Sequence, residues 1–121
     1  MDGTPIFAKR LKEARLRAGV SQLGLGIQAG LDPDVASPRI NRYEHGRHAP
    51  GDMRFVQKLA LLLKVPMAYF FCPEEEIAAI LLLVGAMNAE ERRELLIWLK
   101  GNRVAPSVPA ATSPAPALTP T

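Results

Sequence analysis

The sequence lacks most of the side chains with which proteins bind metals or perform catalysis. It contains one cysteine, Cys72, and two histidines, His45 and His48. A single cysteine forms no internal disulfide, and with only two histidines it makes no ordinary zinc site. The histidines fall together in one predicted loop, and the sequence shows neither a Ser/His/Asp arrangement nor a phosphate-binding loop. We therefore expect no enzyme activity, no cofactor and no metal.

The sequence also lacks a long apolar run and a secretory signal. Its N-terminus, MDGTPIFAKR, has no apolar stretch of the kind that a signal peptide needs. The longest apolar run, from Ile77 to Val84, is too short to span a bilayer. We expect a cytoplasmic protein that does not associate with membranes. A reducing cytoplasm also suits Cys72, which is predicted to be a buried thiol rather than a redox sensor.

The charged residues are distributed unevenly along the chain. The length of 121 residues predicts one domain and a tail, and the net charge is +3 with a pI of about 9.4. Basic residues concentrate in the N-terminal half, at Lys9, Arg10, Lys12, Arg15, Arg17, Arg39, Arg42 and Arg47. Acidic residues gather later, at Glu74, Glu75, Glu76, Glu90, Glu91 and Glu94. This asymmetry predicts a nucleic-acid-binding face in the N-terminal half, although the basic side chains of the first helix could equally form a plain solvated face.

The segment VSQLGLGIQAGLDPDVASPRINRYEHGRHAP reads as two short helices joined by a glycine turn. Ser21 is a good N-cap for the first helix, and Gly30 follows its end, where a left-handed residue is preferred. The second helix has Ile40 and Tyr43 as its apolar face and ends at Gly46. Two packed helices with a polar, basic outer face on the second are typical of a helix-turn-helix.

This segment resembles the helix-turn-helix of the Cro and lambda-repressor type, the XRE family. The family pattern is a Ser-Gln pair, a glycine, an isoleucine, an Arg-aromatic-Glu run, a second glycine and a proline. Here those residues are Ser21, Gln22, Gly30, Ile40, Arg42, Tyr43, Glu44, Gly46 and Pro50. The resemblance covers residues 6–71 and implies an all-α, five-helix lambda-repressor-like domain. The two glycines lie further apart than is usual, across the segment LDPDVAS.

That added segment leaves two possible starts for the second motif helix, the recognition helix. Asp32 could be the N-cap with Pro33 at the first helical position, or Ser37 could be the N-cap followed by Pro38. The residue before a proline avoids the helical region, which disfavours a helix that runs through Ser37. We therefore favour a turn over residues 33–36 and a recognition helix that begins at about Pro38.

The resemblance also implies which side chains contact double-stranded DNA. The matching positions are Gln22 on a phosphate, Ser37, Pro38 and Arg42 on base edges, Arg39 and Asn41 nearby, and Arg47 on a phosphate in the following loop. An arginine bound to guanine is the commonest specific contact of this kind. Arg15 matches an arginine that pairs with the glutamate of the Arg-aromatic-Glu run, which implies a structural ion pair with Glu44.

Helical patterns continue beyond the motif. We expect a DNA-binding domain over residues 5–71, a helical hairpin over 73–101 and a disordered Pro/Ala-rich tail over 102–121. The hairpin is apolar on most faces, so it needs a groove on its own chain or a second chain to cover it. A C2 homodimer is the economical arrangement.

The sequence therefore predicts a sequence-specific DNA-binding transcriptional regulator, a repressor that acts as a homodimer. The alternative is an antitoxin or an interaction adaptor that keeps the helix-turn-helix fold and binds a protein partner through the C-terminal helices or the tail. Co-purification of a second chain, or a toxin gene next to this one, would favour the alternative.

Overall fold

The computed structural model describes residues 4–102, and within that range the protein is all-α, as predicted. No β-strand occurs between Thr4 and Asn102. The helices are α1 (Thr4–Ala18), α2 (Gln22–Gln28), α3 (Pro33–Glu44), α4 (Met53–Leu63), a short 3₁₀ helix (Met67–Phe71), α5 (Glu75–Gly85) and α6 (Ala89–Gly101). No helix in this range is long and apolar enough to cross a membrane.

The chain divides into two compact units between Ala86 and Met87, so that α5 belongs to the first unit and α6 to the second. The core of the first unit takes side chains from α1 to α5 and from the 3₁₀ helix. Its largest fully buried members are Phe7, Leu11, Leu25, Ile40, Val56, Leu59, Tyr69 and Phe70. The rings of Phe7 and Phe70 lie 5.2 Å apart, which joins the start of the chain to the 3₁₀ helix.

The N-cap of α2 and the glycine after its end lie where the sequence predicts them. The Ser21 side chain accepts a hydrogen bond from the Gly24 amide at 2.9 Å and so caps α2. Gly30 follows the end of α2 with φ +96°, a left-handed conformation that residues with a Cβ rarely adopt. The chain can therefore reverse within a few residues, which brings α3 directly against α2.

The predicted start of the recognition helix is wrong. Helix α3 begins at Pro33 with Asp32 as N-cap, and Pro38 lies inside it. The reason is a tertiary contact, because Ala36 is fully buried against α2 at Gly26. A Cβ at Gly26 would lie only 2.7 Å from the Ala36 Cβ, so the two helices can approach this closely only at a glycine. This packing outweighs the backbone preference of the residue before Pro38.

Helix α5 packs against the rest of the first unit with one face and leaves the other face exposed. Ala78 is buried in the core, and Leu81 and Leu82 pack against the core's edge. On the opposite side Ile80 is 55% exposed and Leu83 is 67% exposed. The helix is apolar on nearly all sides, and the rest of the first unit covers only one of them.

Helix α6 forms the described part of the second unit. Asn88 and Glu91 form a capping box at its start. The Glu91 amide donates to the Asn88 side chain with a nitrogen-to-oxygen distance of 2.8 Å, and the Asn88 amide donates to the Glu91 side chain at 2.9 Å. Leu96, Ile97 and Leu99 are exposed on this helix. The predicted Pro/Ala-rich tail lies outside the described residues, apart from Asn102.

Candidate nucleic-acid interface

Helix α3 presents one apolar and one polar face, because its buried residues recur at helical spacing. Ala36, Ile40 and Tyr43 are buried against the rest of the first unit. Pro38 and Arg42, spaced by one helical turn, lie exposed on the same side of the helix. The predicted contacts Ser37, Arg39 and Asn41 are half-buried between the two faces. An exposed side of α3 therefore carries most of the side chains that the sequence singled out.

Three arginines near this face have free guanidinium groups. Within residues 4–102, no carboxylate or hydrogen-bond acceptor pairs with the side chain of Arg39, Arg42 or Arg47. The Arg47 amide donates to the Arg42 carbonyl at 3.3 Å, which holds the loop after Gly46 against the end of α3. Three unpaired positive charges on and beside one helix are suited to a polyanion.

The first turn of α3 adds two exposed side chains that the sequence analysis placed in a turn. Asp34 and Val35 are both exposed there, immediately before the buried Ala36. A carboxylate can accept a hydrogen bond from cytosine, and a branched apolar side chain can contact the methyl group of thymine. Pro33 at the first helical position, following a possible N-cap, was the signal that could have identified them.

Arg15 and Glu44 form a bidentate ion pair that joins α1 to the end of α3. The Arg15 Nε lies 2.5 Å from one Glu44 carboxylate oxygen, and a terminal nitrogen lies 3.1 Å from the other. The two side chains are 11% and 2% exposed. A second terminal nitrogen of Arg15 donates to the Val20 carbonyl at 2.9 Å. Both charges are therefore paired in a place that water hardly reaches.

Gln22 and Asn41 extend this ion pair into a polar network between α2 and α3. The Gln22 amide nitrogen donates to Glu44 at 3.0 Å, and its amide oxygen accepts from the Asn41 side chain at 3.5 Å. Gln22 is half-buried at the N-terminus of α2. Its amide nitrogen carries a second hydrogen, which is the one that the expected phosphate contact would use. The network fixes the orientation of α3 relative to α2.

Arg10 lies neither on a nucleic-acid-binding face nor on a solvated face of α1, the two alternatives for the basic side chains of this helix. It is only 2% exposed and bonds to the Cys72 carbonyl at 3.0 Å and to Glu13 and Glu75 at 3.1 Å. Burial disfavours the charged form, but the bonds to Glu75 and Glu13 outweigh burial and raise the pKa of Arg10. The available signal was its spacing, because Arg10 falls in register with the apolar positions Phe7 and Ala14.

Glu75 is the acidic partner at the start of α5. Lys9 and Arg10 both donate hydrogen bonds to its carboxylate, and these bonds lower the pKa of Glu75. The Glu75 side chain is 62% exposed, unlike that of Glu44. This cluster attaches α5 to α1 and lies apart from the α2–α3 network.

Comparison with models of protein families finds no match, and no curated protein matches the chain either. Among solved structures, the chain is similar to the "Crystal structure of transcriptional regulator BswR", with 46% sequence identity and a TM-score of 0.72. The match covers 78% of this chain and 92% of that chain. The all-α fold and this likeness define the class of the protein as a helical transcriptional regulator. Within that class, the chain belongs to the family of BswR.

Proposed function

We propose that the protein is a sequence-specific double-stranded DNA-binding regulator of the XRE type, which acts in the cytoplasm. The observation that carries this proposal is the exposed side of α3, where Pro38 and Arg42 lie opposite the buried residues of the same helix. In this arrangement α3 enters the major groove and its outer side chains meet base edges. The likeness to a transcriptional regulator supports the same function.

We assign the base-reading role to Arg42, with Ser37, Pro38, Arg39 and Asn41 beside it. Arg42 is exposed and unpaired, so its guanidinium is free to bind guanine in a bidentate manner. Because α3 begins at Pro33, its first turn also approaches the groove, and Asp34 and Val35 join the proposed contacts of the helix. Pro38 can offer only an apolar contact, so we expect little discrimination between base pairs where it meets the groove.

Phosphate contacts fix the position of α3 on the duplex. We assign them to Gln22, through its second amide hydrogen, and to Arg47 in the loop after α3. The Arg15–Glu44 pair takes no direct part, because both groups are buried and bonded to each other. Its role is to hold α1, α2 and α3 as one rigid unit, so that the side chains of α3 reach DNA without a loss of conformational freedom.

The regulator acts as a homodimer in this proposal. The exposed apolar residues of α5, Ile77, Ile80 and Leu83, form a surface that a second copy can cover. In the second unit, α6 has exposed apolar residues of its own, Leu96, Ile97 and Leu99. Two copies related by a twofold axis present two recognition helices, so the operator has two half-sites about 10 base pairs apart, or a multiple of that distance. We assign the dimer the role of a repressor, which would act by excluding other proteins from a promoter that it binds.

The first test is a selection of genomic DNA fragments with the purified full-length protein. We expect one enriched inverted repeat, whose affinity at fixed salt exceeds that of scrambled DNA by about a thousandfold or more. Equal affinity for both sequences would reduce the protein to a nonspecific DNA binder, and no binding to either would contradict the proposal.

The second test concerns the dimer. Ile80→Glu places a charge on the exposed face of α5 and should give a monomer in sedimentation equilibrium, with the helical content unchanged. Glu76→Gln, on the same helix, is the matched control and should remain dimeric. If Ile80→Glu is still a dimer, the interface lies elsewhere.

An antitoxin or adaptor function remains the second candidate, because the same apolar surface would also fit a protein partner. A stoichiometric second protein that co-purifies with the wild type, and is lost in Ile80→Glu, would favour that function. A homodimer without any other chain favours the regulator alone.

A further inference from the structure

A cleft in the first unit lies away from the proposed DNA contacts. It has a volume of about 390 Å³ and lies between α1, the end of α4 and α5. Its walls are mostly aliphatic, with Ala14, Val20, Leu63 and Leu82 among the lining residues. This volume lies within the range of small-molecule sites in proteins, about 300–1,000 Å³.

The polar side chains of the cleft carry charge of one sign. Arg17 and Lys64 line it, and none of its lining residues in the described range is acidic. Neither cation forms an ion pair within residues 4–102, although the Arg17 guanidinium lies 5.9 Å from the centre of the Tyr69 ring. An apolar cleft with two unpaired cations is complementary to a molecule with an apolar body and one negative charge.

Lys64 occupies a position at which other helices of this chain have glycine. Its φ is +59°, and it is the one residue other than glycine with a positive φ in the described part of the chain. The ends of α1, α2 and α3 are followed by Gly19, Gly30 and Gly46, each with a positive φ. A left-handed conformation is strained for a residue with a Cβ. The chain therefore keeps a lysine side chain at this cleft at a cost in stability.

We propose that this cleft binds a small amphipathic carboxylate, with the apolar body between α1, α4 and α5 and the carboxylate between Arg17 and Lys64. A purely apolar occupant, such as a side chain of a second copy, would gain nothing from the two exposed cations at the edge of the cleft. A phosphate or sulfate alone would leave the aliphatic walls uncovered. The aliphatic walls and the two cations together favour a molecule with both an apolar body and a negative charge.

The cleft is connected to the recognition helix through one backbone group. Val20 lines the cleft, and its carbonyl accepts a hydrogen bond from Arg15, which holds Glu44 at the end of α3. Leu82 of α5 also lines the cleft. A bound carboxylate therefore contacts both the helix assigned to the dimer and the support of α3. Its effect on operator affinity rests on the proposed function, whereas its binding does not.

Titration of the full-length protein with octanoate, followed by amide NMR, tests the site directly. We expect saturable shifts at the amides of Val20, Lys64, Val65 and Leu82, together with a shift of the Arg15 Nε–H signal. Octylammonium and 1-octanol are the matched probes, since they keep the apolar chain and change the charge. Each should bind at least about tenfold more weakly than octanoate. Equal binding of 1-octanol, or shifts confined to the outer faces of α5 and α6, would overturn the proposal.

Substitutions at the two cations separate the site from a general effect of charge. Lys64→Gly should bind octanoate roughly tenfold more weakly and yet raise the melting temperature, because glycine relieves the left-handed strain. Arg17→Gln should weaken binding by a similar factor. Lys12→Gln removes the same charge from an exposed part of α1 and should leave binding unchanged. Octanoate affinity equal in all three variants means that the cleft is not the site.

Operator binding with and without saturating octanoate tests the connection to α3. At an octanoate concentration that just fills the wild-type cleft, we expect the operator affinity to change by about threefold or more in the wild type and by much less in Lys64→Gly, whose cleft stays largely empty at that concentration. No change in the wild type would remove the regulatory part of the proposal. If the wild type binds no DNA sequence at all, the proposed function fails while the NMR titration still decides whether the site exists.

Discussion

Two arginines of α1 attach this helix to different regions of the first unit, and their surroundings differ. Arg15 bonds to Glu44, which is 2% exposed, at the end of α3. The Arg10 side chain is 3% exposed, against 11% for Arg15, but its partner Glu75 is 62% exposed at the start of α5. In the Arg15–Glu44 pair both side chains are buried, whereas in the Arg10–Glu75 pair only the arginine is buried. The comparison suggests that α3 is held more rigidly than α5, as suits a helix that positions side chains on a ligand.

The largest expected effect is the loss of the Arg15–Glu44 pair. Arg15→Ala leaves Glu44 charged and buried, so the free energy of unfolding should fall by about 3–5 kcal/mol in urea denaturation. The double variant Arg15→Met, Glu44→Leu should recover much of that loss, because no unpaired charge remains. If the single variant loses less than about 1 kcal/mol, water reaches this pair and the contrast with Arg10 disappears.

Arg10→Ala should cost less than Arg15→Ala. Water can solvate the abandoned Glu75, whereas the Cys72 carbonyl loses its partner in a buried place. We expect the free energy of unfolding to fall by about 1–3 kcal/mol. Lys12→Ala, on the exposed side of α1, is the control and should change it by less than about 0.5 kcal/mol. A loss equal to that of Arg15→Ala would show that the exposure of the partner is unimportant.

Arg42→Ala extends the comparison to an arginine without a partner. Its stability should remain within about 0.5 kcal/mol of the wild type, since an exposed side chain makes few contacts. Its affinity for the selected operator should fall by about 1–3 kcal/mol, with relaxed preference at one base pair per half-site. The measurement is thermal melting combined with binding to operator and scrambled DNA at fixed salt.

Arg47→Ala is the matched control for Arg42→Ala. As a phosphate contact it should weaken binding to both DNAs to a similar extent and reduce the salt dependence. If Arg42→Ala also weakens both equally, base reading belongs to the other side chains of α3. If it weakens neither, the assignment of this face to DNA is wrong.

The smallest expected effect is the acid response of the exposed pair. Hydrogen bonds from Lys9 and Arg10 lower the pKa of Glu75 in the folded protein below its ordinary value of 4.5. The contribution of this carboxylate to stability is therefore complete above the ordinary value and is lost as the pH falls through the lowered one. Glu75→Gln should be less stable than the wild type at pH 7, and this difference should shrink towards pH 3 in thermal melts. A difference that does not vary with pH would mean that the charge of Glu75 is irrelevant.

Local signals in the sequence predicted most of the helices, because caps and glycines act over a few residues. Ser21 caps α2 and Gly30 follows its end, where the hydroxyl and the backbone freedom of glycine predict them. The family resemblance selected Arg42 and its neighbours on α3, whose contact with DNA stays a prediction. The same resemblance placed Arg15 opposite Glu44, which no local signal could do, since the two residues are far apart in sequence.

The tertiary structure decided the features that depend on distant contacts. Gly26 lets α2 approach Ala36, and this contact keeps residues 33–36 helical despite the proline at position 38. Arg10 is buried because the chain returns at Cys72 and Glu75 to cover it. Spacing along one helix shows which face is apolar, but the partner that covers a charged residue comes from another part of the chain. Which residue becomes that partner is decided by tertiary packing, and the local preferences of the backbone do not encode it.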